Sequence, residues 1–234
     1  MIKKPINQND IINSELINSY GIDYVFTNKS INRIKTKPQV VNKPELLENL
    51  KNKILNIDNC DLKNNSKQIV FSDGSYESPV MIVGEGPGQK EDEIGKPFVG
   101  DAGILLNKML NAISLKRDKI YITNVVNYRP PENRKPEPTE IIKYSNFLRE
   151  HISIIDPKLL ILMGSTAMEA LFGSKIKISK ERGNWKEIII KQKSYLTMIT
   201  FHPAYLLRLP DQKKYSWLDL KEIRKKIDEL NLNI

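Results

Sequence analysis

Val80-Met81-Ile82-Val83-Gly84-Glu85-Gly86-Pro87-Gly88 decides the fold, together with Pro97-Phe98-Val99-Gly100-Asp101-Ala102-Gly103-Ile104-Leu105-Leu106 a few residues on. A short apolar run ended by three glycines and a proline reads as a buried strand entering a loop. The glycines allow a ligand to approach the main chain closely. Pro97-Phe98 is a second turn with an aromatic ring at its tip. From Ala102 the spacing becomes helical, with Leu105, Leu106, Met109, Leu110 and Ile113 on one face. Strand, glycine loop, aromatic turn and helix in this order describe a ligand pocket at the carboxyl end of a sheet strand. The glycine spacing is not that of a dinucleotide fingerprint, and no Gly-Lys-Ser/Thr follows to make a phosphate loop. Alone, the loop reads equally well as an ordinary strand-to-helix turn.

Outward from this stretch, apolar strands alternate with helical patterns. Ile69–Phe71 reads as a short strand turned by Asp73-Gly74 into the central one. Lys119–Val126 alternates and is rich in β-branched residues, and it runs into a proline-stiffened basic loop, Tyr128–Pro136. Thr139–Ile155 is helical. Leu159–Met163 is another buried strand, followed by a short helix opened by Gly164-Ser165. Ile188–Ile190 and Leu196–Phe201 are the last strands, and Gln212–Leu230 is a terminal helix. This order predicts an α/β fold: a three-layer α/β/α sandwich around a central, mainly parallel four-stranded sheet. Right-handed crossovers place the strand ends near Val83, Val126 and Phe201 on one rim. Residues 46–234 are expected to form this domain. Residues 1–45 read as an N-terminal helix, Asp10–Tyr20, and a polar linker.

Composition bounds the function. The chain has 234 residues and a net charge of +9, and residues 174–234 hold 14 Lys and Arg against 7 Asp and Glu. Such a surface suits a polyanionic partner, because each neutralised phosphate releases counterions; a biased base composition of the genome is the alternative source of the lysines. No apolar run reaches the roughly 18 residues of a membrane span, and the N-terminus lacks a secretory signal, so a cytoplasmic monomer is expected. One cysteine, Cys60, excludes an intrachain disulfide and an all-cysteine metal cage. Of two histidines, His151 sits on a helix and reads as structural. His202 leaves a strand in Thr200-Phe201-His202-Pro203-Ala204-Tyr205-Leu206-Leu207-Arg208; by itself it reads either as a satisfied strand-end histidine or as a site residue.

Together these segments resemble the family 4 uracil-DNA glycosylases of the wider uracil-DNA glycosylase superfamily. The likeness rests on Gly84-Glu85-Gly86-Pro87-Gly88 with Glu91-Asp92, Gly95 and Pro97–Gly103; on Thr123-Asn124-Val125-Val126 with Arg129-Pro130-Pro131 and Asn133-Arg134; and on His202–Arg208. It implies an enzyme that hydrolyses uracil from DNA to leave an abasic site. Phe98 is then the stacking platform, Asn124 the reader of uracil O4 and N3–H, and His202 the donor to O2. Main-chain amides of Gly86 and Gly88 complete the uracil contacts. The position of a water-guiding aspartate in a related family falls on Gly86, so Glu85, the nearest carboxylate, is assigned to the water or to the sugar cation. Leu206 is expected as the wedge in the base stack, and Arg129, Arg134 and Arg208 as phosphate contacts. The family holds a 4Fe-4S cluster on four cysteines. Here those positions fall on Ile57, Cys60, Tyr128 and Tyr144, so no cluster and no other metal is expected, with the tyrosines filling its volume. Alternatives are the same fold with broader scope (hypoxanthine, xanthine), or a non-catalytic DNA-binding or polymerase-associated module.

Overall fold

The structure, a computed structural model, describes residues 42–234. The helix expected over Asp10–Tyr20 and nearly all of the expected linker lie outside them. The first described helix, α1 (Lys43–Leu55), starts where the Asn42 side chain accepts the Glu45 N–H and Pro44 occupies the first turn. Proline suits that position, where an N–H has no intrahelical partner. After a short turn of helix, α2 (Asp61–Asn64), come β1 (Ser72–Gly74), β2 (Val80–Gly84), α3 (Gln89–Ile94), α4 (Asp101–Ala112) and β3 (Tyr121–Asn124). The chain continues through α5 (Pro138–Ile155), β4 (Leu159–Met163), α6 (Ser165–Phe172), α7 (Ile178–Glu181), β5 (Trp185–Ile190), β6 (Lys193–Thr200), α8 (Pro203–Arg208) and α9 (Lys213–Glu229).

The sheet has six strands in the order β1-β3-β2-β4-β6-β5, not four. Its centre, β3-β2-β4-β6, is parallel throughout, while β1 and β5 pair antiparallel at the two edges. Both edges are places where the sequence misleads. The apolar segment Ile69–Phe71 is not the strand; the polar Ser72–Gly74 is, in register with Thr123, Ile122 and Tyr121. β5 starts at Trp185 and forms a hairpin with β6, which reads as a separate strand only in its apolar half.

Strand alternation sorts the core into two layers, because successive side chains point to opposite faces. Met81, Val83, Leu160 and Leu162 pack with Leu50 and Ile54 of α1, Tyr144 and Ile152 of α5 and Met168 of α6. Val80, Ile82, Leu159 and Ile161 pack on the other face with Leu106 and Leu110 of α4 and with Leu220, Ile223 and Ile227 of α9. Both faces are therefore covered, which accounts for the continuous apolar runs of β2 and β4. His151 belongs to the first layer. It is buried, stacked on Phe71 at 4.7 Å and hydrogen-bonded through Nε2 to the Tyr121 hydroxyl at 2.7 Å, and burial holds its pKa down at about 3.

A buried ion pair ties the second layer to the end of β6. Arg182 donates to Asp219, whose Oδ2 also accepts the Thr200 hydroxyl at 2.7 Å. Thr200 is two residues before His202, so this contact fixes the point where the chain leaves the sheet for the site. No described helix is long and apolar enough to cross a membrane.

Candidate active site

The carboxyl ends of β2, β3 and β6 deliver Gly84, Asn124 and Thr200 to one rim, and the loops that follow carry the candidate residues. A cavity of about 230 Å³ opens there, lined by Glu85, Gly86, Pro87, Gly88, Phe98 and Asn124 and by Ala204 and Arg208 of α8, among others. An adjoining cavity of about 350 Å³ shares Glu85, Ala204 and Arg208 and is lined also by His202, Ser165, Phe201 and Tyr205. His202 and Phe98 meet where the two join, their rings stacked with centroids 5.4 Å apart.

Phe98 is 5% exposed and has φ +52, in the left-handed region that bulky residues avoid. Its ring lies so close over Gly84 that a β-carbon there would come within 2.5 Å of Phe98 Cζ and 2.4 Å of Asn124 Oδ1. Behind it, a β-carbon on Gly103 would sit 1.9 Å from the Phe98 carbonyl oxygen. Two glycines thus define the room for one aromatic ring. Gly84 and Gly103, members of the motif with no role evident from sequence, are each a packing requirement of the platform.

The glycine loop and the aromatic turn are joined by one buried carboxylate. Glu91 Oε1 accepts the Val99 and Gly100 N–H groups at 2.9 and 2.7 Å, and its Oε2 accepts the Gly88 N–H at 3.2 Å. The last bond corrects the expectation for Gly88: its amide is taken by Glu91, although the residue itself lines the cavity. Gly86 also lines the cavity, with no space for a side chain against Val126.

His202 caps α8, its Nδ1 accepting the Ala204 N–H at 3.2 Å. The proton of the neutral ring therefore resides on Nε2, a fixed tautomer with one donor. Burial, with a smaller contribution from the Arg208 charge, holds the imidazole pKa down at about 4, so the ring is neutral at pH 7. Gly164, which follows β4, has φ +96, a conformation that disfavours a side chain, and a β-carbon there would lie 3.0 Å from the His202 β-carbon. Glu85 is half-buried, and its Oε2 accepts the hydroxyl of the fully buried Thr166 at 2.5 Å. Thr166 was invisible in the sequence because it lies 81 residues away, on α6.

Two expected DNA contacts have other partners in the structure. Leu206 is 1% exposed, since the phase of α8 turns it into the core beneath; the apolar side chain on the outer surface is Leu207, 43% exposed. Arg134 is committed to a two-pronged ion pair with Glu140, at 2.8 and 2.7 Å, which secures the basic loop to the start of α5. Arg208 is exposed at the mouth of both cavities, and Arg129 holds Asn133, itself a lining residue, at 2.8 Å.

The four positions compared with cluster ligands are all buried in the first core layer. The donor set there is one thiol and two phenols. Cys60 Sγ and the Tyr144 hydroxyl lie 3.3 Å apart, and the Tyr128 hydroxyl is buried without a hydrogen-bond partner among the described residues. Burial pushes both tyrosine pKa values up, keeping the phenols protonated. Four thiolates are what a cluster requires, so these residues do not fit one. Among the described residues no group of three or more His, Cys, Asp or Glu is placed to hold a metal ion.

A family model for the uracil DNA glycosylase superfamily matches residues 71–222. The chain is 39% identical over 165 residues to a type-4 uracil-DNA glycosylase of Thermotoga maritima, covering 70% of this chain and 84% of that protein. It is 39% identical over 187 residues to one of Sulfurisphaera tokodaii, covering 76% and 83%, and 34% identical over 183 residues to one of Archaeoglobus fulgidus, covering 76% and 92%. With the strand-end cavity, these matches place the chain in the uracil DNA glycosylase superfamily, among its type-4 members.

Proposed function

We propose that the cavity beside Phe98 receives a uracil turned out of DNA and that the protein hydrolyses its N-glycosidic bond. The function as a uracil-DNA glycosylase follows from the relatives and the family; the residue roles are our reading. The observation that carries it is the neutral His202, with its proton confined to Nε2, set against an aromatic platform next to a buried amide.

A base inside a duplex is out of reach, so the nucleotide is flipped, at a cost of about a few kcal/mol in unstacking. The base stacks on Phe98. Asn124 accepts from uracil N3–H through its carbonyl and donates to O4 through its NH2 group. Cytosine presents the opposite pattern at these two atoms and would leave buried polar groups unpaired. The C1′–N1 bond then breaks with its electron pair passing to the base, and charge develops on O2. A neutral donor already in place stabilises that anion without reorganisation. Water adds to C1′ and gives up a proton; Glu85, held by Thr166, is positioned to take it or to face the sugar cation. Arg208 and Arg129 contact phosphates, and Leu207 replaces Leu206 as the apolar wedge.

The protein works without an iron-sulfur cluster, its cluster volume filled by Tyr128, Tyr144 and Ile57. Purified protein is then colourless, and iron and sulfide assays give no stoichiometric content. Stoichiometric iron with the charge-transfer absorption of thiolate-bound clusters would refute this.

His202→Ala lowers single-turnover cleavage of uracil DNA by roughly 2.7–4 kcal/mol, the cost of one oxyanion donor, while binding of the same DNA changes little. Asn124→Asp lowers uracil cleavage through loss of the O4 donor, and any gained activity appears on cytosine. Wild-type rates in both variants would remove these residues from the mechanism.

Salt dependence checks this footprint. Arg208→Ala flattens the slope of log affinity against log salt by about one unit. Arg134→Ala leaves the slope unchanged, because its charge is already paired with Glu140; an equal flattening in both would restore Arg134 to the interface.

A further inference from the structure

The Phe98 turn has a support that neither the motif nor the cavity includes. Arg117, in the turn that precedes β3, lies behind the platform. Its Nη2 donates to the Pro97 carbonyl at 2.6 Å and its Nη1 to the Phe98 carbonyl at 2.9 Å. The same Nη1 reaches Asn107 Oδ1 of α4 at 3.1 Å, and Nε donates to Asp73 Oδ2 of β1 at 2.9 Å. One planar group thus spans two successive carbonyls while being fixed from two further elements.

These bonds oppose the relaxation the backbone would otherwise undergo. Phe98 sits at φ +52, a conformation that an aromatic residue keeps only when its surroundings impose it. Gly103 presses on the Phe98 carbonyl from the side of α4, and Gly84 limits the ring from below. Arg117 supplies the remaining restraint, by holding both carbonyls in the direction that the left-handed turn requires. We infer that Arg117 is a positioning residue that keeps the Phe98 ring in its stacking orientation for the flipped base. This rests on the proposed uracil-stacking role of Phe98. Lysine would not replace it, since an ammonium is a point charge and lacks the planar fork that reaches two carbonyls and a carboxylate at once.

A separate solvent-open cavity of about 570 Å³, lined by Asp73, Gly74, Ser75, Arg117 and Asp118, gives access to this guanidinium. Its lining shares no residue with either cavity at the rim. Truncation of Arg117 therefore leaves a space that a free guanidinium ion enters without crossing the DNA face.

Arg117→Ala is expected to slow single-turnover cleavage of uracil DNA by about a hundredfold, the scale of a small misplacement in a reacting geometry. Affinity for an undamaged duplex stays at the wild-type level, because the platform meets only a flipped base. Guanidinium chloride, added well below denaturing concentrations, restores part of the rate, whereas sodium chloride of equal ionic strength does not. The rescue is absent in Phe98→Ala. Arg117→Lys is slow as well and carries the test if the alanine variant does not fold. A wild-type rate in either Arg117 variant overturns the inference, as does a slowed Arg117→Ala enzyme that guanidinium does not restore. Failure of the wild-type protein to cleave uracil DNA would instead overturn the proposed function on which the inference stands.

Discussion

The site depends on close packing at Gly84. The ring of Phe98 and the amide of Asn124 both occupy the volume a β-carbon on residue 84 would need. Protein interiors are packed too densely to absorb such a group without movement. Stacking platform and base-reading side chain are consequently placed with respect to each other by the backbone of β2, in the middle of the parallel sheet. The platform inherits the rigidity of the sheet, although it belongs to a loop.

Polar groups extend this rigidity to the remaining loops. Glu91 joins the glycine loop to the aromatic turn, Thr166 holds Glu85, and the Ala204 amide fixes the tautomer of His202. Each is a hydrogen bond from or to a group at the carboxyl rim of the sheet. A catalyst that stabilises developing charge gains from donors that need not reorient during the reaction, and the arrangement around His202 meets that condition. The low imidazole pKa has the same origin, since burial and the nearby Arg208 charge both disfavour a second proton.

The parallel centre of the fold was legible because β2 and β4 are short apolar runs closed by turn residues, and β3 alternates with a high β-branched content. The edges were not. β1 is Ser72-Asp73-Gly74, whose strand character comes from pairing with β3 and not from its side chains. α3 is polar on most of its surface and lacks the apolar period that announced α4. In the site, Phe98, Asn124 and His202 stood out by residue type and motif, and the structure brings them to one rim. The supporting residues Thr166 and Arg117 were silent, and Glu91 stood in a motif without a role, because their partners are set by tertiary contacts. Leu206 and Leu207 illustrate the same limit. Two adjacent leucines on a six-residue helix are distinguished only by helix phase against the core beneath, and Arg134 differs from Arg208 only by the neighbouring Glu140.

A crystal structure of the protein with DNA carrying one non-hydrolysable 2′-fluorinated deoxyuridine is the decisive measurement for these residue roles. Uracil is expected outside the helix with its face on Phe98, the Asn124 amide on O4 and N3, and His202 Nε2 within hydrogen-bond distance of O2. A uracil that remains stacked in the DNA, or one lodged beside Phe201 and Tyr205 away from Asn124, would contradict it.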